Sequence, residues 1–255
     1  MLTFISCAKT MANNFVETET PLISVPYFQK EALHNALYVS QYSPGKLERL
    51  LRVNSKIAAD NYLRYQDFSS PVNKAMPAIF AYTGAVYKRI SPKDFSIDDL
   101  LYAQDHLRIT SFLYGLLRPL DAIKTYRLEG DARLPERGGR TMFEYWKPLL
   151  TDWFIESIKE KGGVLLNLAS AEMQNLFDWN RVQREVRVVT PDFHVWKAGR
   201  LATVVIYVKM CRGEMTRLAI KDRIADPEQL QSFSWEGFKY DENRSTENHY
   251  VYTLG

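Results

Sequence analysis

Three groups of cationic and hydroxyl-bearing residues stand out along the chain, and the chemistry they share is the holding of phosphate. The first is Ser6-Cys7-Ala8-Lys9-Thr10, a lysine flanked by hydroxyls just after a short apolar run. Lysine plus hydroxyls after a strand follows the logic of a phosphate loop, but the glycines that let backbone wrap a phosphate are absent. The second group lies in residues 96–130, where Arg108, Arg118, Lys124 and Arg127 are spread around Gly115. The third is Lys209, Arg212 and Arg217. Asn167, Ser170 and Glu172 follow a further apolar run, where polar groups at the carboxyl end of a strand can line a ligand crevice. Each residue also has a plainer reading. Lys9 can be exposed or ion-paired, and the arginines can sit on solvated faces. Asn167 can bond neighbouring backbone, Ser170 can cap a helix, and Glu172 can answer a helix dipole. Glu214 can pair with Arg217 three residues on.

Regular elements must position these groups. Residues 96–130 read as a helix, a tight turn and a second short helix, with Leu100, Ala103, Leu107, Leu113 and Leu117 at helical spacing. Ser96 and Asp99 form a capping-box pattern, Gly115 permits a tight turn, and Pro119 forbids an uninterrupted helix. A helix–hairpin–helix-like element of this kind presents backbone N–H groups and arginines to a phosphate. Around it, residues 2–6 and 164–169 read as buried strands, and 28–39, 45–59 and 141–161 as helices. Residues 185–190 alternate as a strand that Pro191 ends, and 201–211 form a long β-branched strand with VVIYV at its centre. A helix at 213–225 follows, then a terminal hairpin from 235–241 and 249–254. Pro21 and Pro26 mark an extended connection, and 71–77 breaks the pattern. The expectation is one α+β domain over residues 1–255, with a mixed β-sheet and surrounding helices; the irregular order argues against a plain doubly wound fold.

Composition narrows the function classes. At 255 residues, 46% hydrophobic and 25% charged, the chain has the make-up of an ordinary globular protein. A net charge of +3 is too mild to imply nucleic acid by itself, so the distribution of charge within a cleft matters more than the total. No apolar run is long enough to span a bilayer, and the N-terminal apolar stretch is too short for a secretory signal. Two cysteines make no disulfide framework. A cytoplasmic location is expected, with no membrane contact. Cys7, beside Lys9, invites a reactive-thiol reading, but a small, inert, buried thiol is the stronger one for both Cys7 and Cys211. The four histidines show no metal-ligand spacing, so no metal and no cofactor is expected. Sequence alone identifies no catalytic centre.

The segment LYGLLRPLDAIKTYRLEG resembles the central signature of the YaaA family of peroxide-stress proteins, which runs LYG, LRPLD and YRLE. Further similar blocks follow in the family's order. SCAKT at 6–10 is similar to SPAKT, TGAVY at 83–87 to GDVY, and NLASAE at 167–172 to NLAS-x-E. VKMCRGEMTRLAI at 208–220 is similar to AKKARG-x-M-x-R, and EGFKYDE at 236–242 to GY-x-FD. Departures remain: Cys7 replaces proline, Ala85 replaces aspartate, Met210 replaces a lysine, and Met173 and Asn175 stand where the family has tyrosine and lysine. The resemblance implies a cytoplasmic protein that protects against peroxide and limits damage from free iron. It also implies a helix–hairpin–helix-like element and a basic cleft for duplex DNA.

On these grounds Lys9, Arg108, Arg118 and Lys209 are expected to converge on one cleft. Lys9, Arg108, Gly115, Arg118, Arg127, Lys209, Arg212 and Arg217 would contact phosphate, and Ser6, Asn167, Ser170 and Glu172 would supply its polar lining. Two functions fit. One is sequence-independent binding of duplex DNA; the other is an enzyme acting on a phosphorylated or otherwise anionic small molecule in the same cleft. A long open basic groove supports the first, and a closed pocket with a buried Glu beside a Lys supports the second.

Overall fold

β1 (Leu2–Ile5) is buried along its whole length, as expected of a strand with neighbours on both edges and layers on both faces. The computed structural model describes residues 1–12, 20, 22–71 and 73–255; Pro21 and Val72 lie outside the described residues. After β1 come α1 (Gln29–Ser40), α2 (Pro44–Leu51), α3 (Ser55–Gln66), β2 (Met76–Pro77), α4 (Ala78–Ala81), α5 (Ala85–Ile90) and α6 (Ile97–His106). β3 (Leu107–Ser111), β4 (Gly115–Leu117), β5 (Ala122–Ile123), α7 (Met142–Glu160), β6 (Val164–Asn167) and α8 (Trp179–Glu185) follow. The chain ends with β7 (Arg187–Lys197), β8 (Arg200–Ala202), α9 (Val205–Lys221), β9 (Ser234–Trp235), β10 (Phe238–Tyr240) and β11 (His249–Leu254).

The main sheet has the order β4-β3-β1-β6-β7-β11-β10-β9, with β8 on β7. β3, β1, β6, β7 and β11 run parallel, while β4, β8, β10 and β9 pair antiparallel. The sheet is therefore mixed, and the architecture is α+β. Phe4 of β1 packs on Phe154 of α7 at 5.0 Å between ring centroids, and Phe154 stacks on Phe177 at 4.3 Å. The capping box at Ser96 is made. The Ser96 hydroxyl accepts from the Asp99 N–H at 3.1 Å while Asp99 accepts from the Ser96 N–H at 3.0 Å, and Thr141 and Glu144 repeat the arrangement at α7.

Four segments differ from the sequence-based expectation, each for a physical reason. The second helix of the helix–hairpin–helix-like element does not form: after α6 the chain turns into the β3–β4 hairpin, with Ser111 opposite Gly115. All five side chains of β3 are buried, so apolar spacing cannot separate helix from strand here. The Ser111 hydroxyl accepts from the Tyr114 N–H at 2.8 Å and closes the turn. Residues 45–59 are two helices, because Arg52 adopts a left-handed conformation (φ 50°) and Asn54 caps the next helix. Residues 205–211 are helix despite their β-branched run; Cys211, Met215, Ala219 and Ile220 give α9 its buried stripe, and packing overrides β propensity. Pro191 does not end β7. Thr190 donates its N–H toward the β11 side, to Asn248 O. Pro191 therefore faces the other edge, where pairing with β6 has stopped at Val189 and no donor is needed.

Candidate functional site

β1 lies between β3 and β6, so the chain leaves its carboxyl end for one neighbour and later returns to the other. Such a switch point opens a crevice above the strand ends, where ligands settle in open sheets. A cleft of about 350 Å³ occupies that place. Ser6–Thr10 after β1, Phe112 after β3, and Leu168, Ser170, Glu172 and Met173 after β6 line it. The start of α5, the segment from Tyr126 to Glu129, and Lys209 and Arg212 of α9 complete the walls.

Hydrogen bonds lock the loops together. The Ser6 hydroxyl accepts from the Ser170 N–H at 2.9 Å and lies 3.2 Å from the Ser170 hydroxyl. The Tyr87 hydroxyl donates to Ser6 O at 2.9 Å, tying α5 to the same loop. The Cys7 N–H donates to Thr110 Oγ1 at 2.9 Å, and the Thr110 hydroxyl reaches Met173 Sδ at 3.2 Å. Gly213 lets α9 approach α5 closely, since a Cβ there would stand 2.4 Å from Val86 O. That approach brings Arg212 to the cleft.

The charges divide into a paired and an unpaired set. Glu129 receives Lys9 Nζ at 2.9 Å on one oxygen and the Arg127 guanidinium at 3.1 Å on the other. Glu129 is 13% exposed and Lys9 68%, so the carboxylate is interior and the lysine stands at the mouth. Among the described residues, Lys209 and Glu172 have no ion pair, and Arg212 Nε is buried without a hydrogen-bond partner. Burial lowers the pKa of the Arg212 guanidinium, and nearby Asp192 opposes the shift. Burial pushes the Cys7 thiol up to about 11, with Glu129 and Glu172 adding to the effect. A thiol so protonated is a poor nucleophile at neutral pH.

Ser6, Lys9, Arg127, Ser170, Glu172, Lys209 and Arg212 thus meet in one cleft. Arg108, Gly115, Arg118, Asn167 and Arg217 are not part of its lining. Arg108 is 6% exposed and donates to Gln104, Asp105 and Leu107 carbonyls at 3.0–3.3 Å, where α6 ends. Arg118 is held by Asp121 at 2.9 Å and by Val25 O at 3.1 Å. Arg217 donates to Ile90 O and Ser91 O at 3.0 and 3.1 Å, at the end of α5. Gly115 turns the β3–β4 hairpin against Trp146. Asn167 is buried, bonds Thr190 Oγ1 and accepts from the Ala169 N–H. The expected convergence of four cations therefore reduces to Lys9 and Lys209, because Arg108 and Arg118 are spent on internal bonds. Sequence reasoning passed over Glu129, Tyr87 and Gly213. Glu129 had a signal, a carboxylate two residues after Arg127 in a cation-rich block.

Among the described residues no group of three or more His, Cys, Asp or Glu side chains is arranged to hold a metal ion. No helix of the described chain is long and apolar enough to cross a membrane. Residues 1–244 match the family described as peroxide stress protein YaaA. A UPF0246 protein of Phocaeicola vulgatus is 63% identical over 254 residues, covering 100% of this chain and 99% of its own. Another from Bacteroides fragilis is 62% identical over 255 residues, with 100% and 99% covered. A more distant one from Clostridium beijerinckii is 33% identical over 254 residues, with 99% and 97% covered. With the matching blocks spread from β1 to the last strands, the chain belongs to the YaaA family of peroxide stress proteins.

Proposed function

We propose that this member of the peroxide stress family uses the cleft to bind a phosphate-bearing small molecule. One observation carries the reading: Lys209 and Arg212 bring positive charge into a concave site at the strand ends, and neither forms an ion pair with a carboxylate of the described residues, Asp192 acting on Arg212 only from a distance. Four cationic side chains line the cleft against two carboxylates, Glu129 and Glu172. A cleft lined this way attracts anions far more strongly than the chain's mild net charge suggests. Its volume of about 350 Å³ lies near the lower end of the roughly 300–1,000 Å³ typical of small-ligand sites. A half-buried Glu129 beside Lys9 also favours a compact pocket over an open groove. Glu172, with no cation on it, is the group available to take a proton from a bound ligand.

Duplex DNA, held sequence-independently through phosphates, is the second reading. The exposure of Lys9 and Lys209 at the mouth favours it. Against it, Arg108, Arg118 and Arg217 are occupied internally and extend no groove from the cleft. Calorimetric titration with inorganic pyrophosphate, beside mobility shifts of a short duplex across a salt series, separates the two. Saturable pyrophosphate binding that is lost in Arg212→Gln and weakened in Lys209→Gln is the expected result. Duplex binding that falls steeply with salt, without any pyrophosphate binding, would favour DNA instead. No binding of either probe would overturn both readings.

A further inference from the structure

We infer that the cleft seats one phosphorylated nucleotide at a time, whether free in solution or exposed at the end of a DNA strand. The inference rests on the reading of the cleft as a phosphate site and deepens it by naming what the phosphate is attached to. Three features of the lining bear on that choice. Lys209 and the buried, unpartnered Arg212 Nε supply the phosphate seat. Glu172, exposed and free of any cation among the described residues, is an acceptor suited to a sugar hydroxyl. Ala8, Ala85 and Val86, each half-buried, give the cleft an apolar wall that still faces the opening. A bare phosphate or a sugar phosphate would leave that surface facing water, whereas the flat ring of a nucleobase covers it.

Size sets the limit of one. The major groove of a duplex is about 12 Å wide by itself, so a cavity of about 350 Å³ cannot admit paired DNA. A nucleotide enters only when it is free or when a strand end releases it from pairing. The Ser6 hydroxyl accepts from the Ser170 N–H and the two serine hydroxyls bond each other, which leaves few groups to read a base edge. Binding is accordingly indifferent to the base.

Calorimetric titration of the full chain with AMP, ribose 5-phosphate, inorganic phosphate and adenosine tests the inference. AMP should bind tighter than ribose 5-phosphate, and ribose 5-phosphate tighter than phosphate. GMP and CMP should match AMP. Arg212→Gln should weaken AMP by about tenfold or more, the loss of a charged hydrogen bond, and Lys209→Gln, on an exposed side chain, should weaken it without a folding defect. Glu172→Gln should weaken AMP and leave phosphate unchanged. A nicked duplex with a 5′-phosphate and a covalently closed circle then serve as competitors. Competition by the nicked form alone adds strand ends as a source; competition by neither assigns the free nucleotide. Equal competition by the closed circle overturns the one-nucleotide limit. Equal affinity for AMP and phosphate overturns the nucleotide inference but leaves the phosphate site standing. Absence of binding by every phosphate probe overturns both.

Discussion

Replacing Gly115 by alanine tests how the hairpin beside the cleft is built. Gly115 has φ +76°, a region that costs an L-residue about 1–2 kcal/mol. A Cβ there would stand 2.8 and 2.9 Å from two ring carbons of Trp146 and 3.0 Å from a Leu150 methyl. Trp146 is fully buried, and its Nε1–H is pinned to Phe112 O at 2.8 Å, so the ring has nowhere to swing. Overpacking of this kind adds about 1–3 kcal/mol, which brings the total to about 2–5 kcal/mol. Gly138 supplies the control: its φ is +69°, but an added Cβ meets nothing within 4 Å. Gly138→Ala should therefore cost only the backbone part, about 1–2 kcal/mol. Urea unfolding of both variants, followed by circular dichroism at matched m-values, measures the difference. Equal losses would refute the packing argument. Because Gly115 lies outside the cleft, the folded fraction of Gly115→Ala should keep the wild-type ligand affinity. This reverses the role the sequence suggests for that glycine, a turn that feeds backbone N–H groups to a phosphate.

Three further outcomes are expected. Arg212→Met should hold or raise thermal stability while abolishing anion binding, because it removes a half-buried cation whose buried Nε has no partner among the described residues; a marked loss of stability would contradict this. Cys7 should resist alkylation by iodoacetamide and sulfenate formation at pH 7, since burial holds its thiol protonated up to about pH 11; mass spectrometry that finds rapid modification of Cys7 in the folded protein would refute it. Burial of Asp99 opposes its ionisation, but hydrogen bonds from Lys221, Ser96 and Arg223 prevail and hold its carboxyl well below the usual range. A depressed folded pKa stabilises the protein above the unfolded value of about 3.9 and loses that contribution as pH falls. The stability gap between wild type and Asp99→Asn should thus be widest near neutrality and close progressively below about pH 5; a gap unchanged down to pH 3 would contradict it.

Some of this molecule can be read from its residues and some cannot. β1, α7 and the Ser96 capping box are legible because each rests on local chemistry: a short apolar run, a helical stripe, a side chain three residues from its partner. The β3–β4 hairpin is not, because a segment buried on every side loses the periodicity that distinguishes strand from helix. The run after Val204 misleads in the opposite direction, since its β-branched residues are drawn into α9 by contacts with α5. In the site, Ser6, Lys9, Ser170 and Glu172 were visible as polar groups at strand ends. Lys209 and Arg212 were visible as cations in a block that resembles the family's. Arg108 and Arg217 looked equivalent to them in sequence. They differ because their guanidiniums turn back onto backbone carbonyls at helix ends, and no spacing rule records that choice.

The nitrogen-15 resonance of the Arg212 Nε–H, followed while a phosphate ester is titrated in, tests the central claim most directly. Among the described residues, two arginine Nε groups, those of Arg212 and Arg108, are buried without partners, and Arg108 lies away from the cleft against Trp153. If the cleft is a phosphate seat, the Arg212 signal moves, saturates with the ligand and exchanges more slowly with water, while the Arg108 signal stays in place. A ligand that saturates the protein without moving Arg212, or that moves both signals alike, would contradict the account.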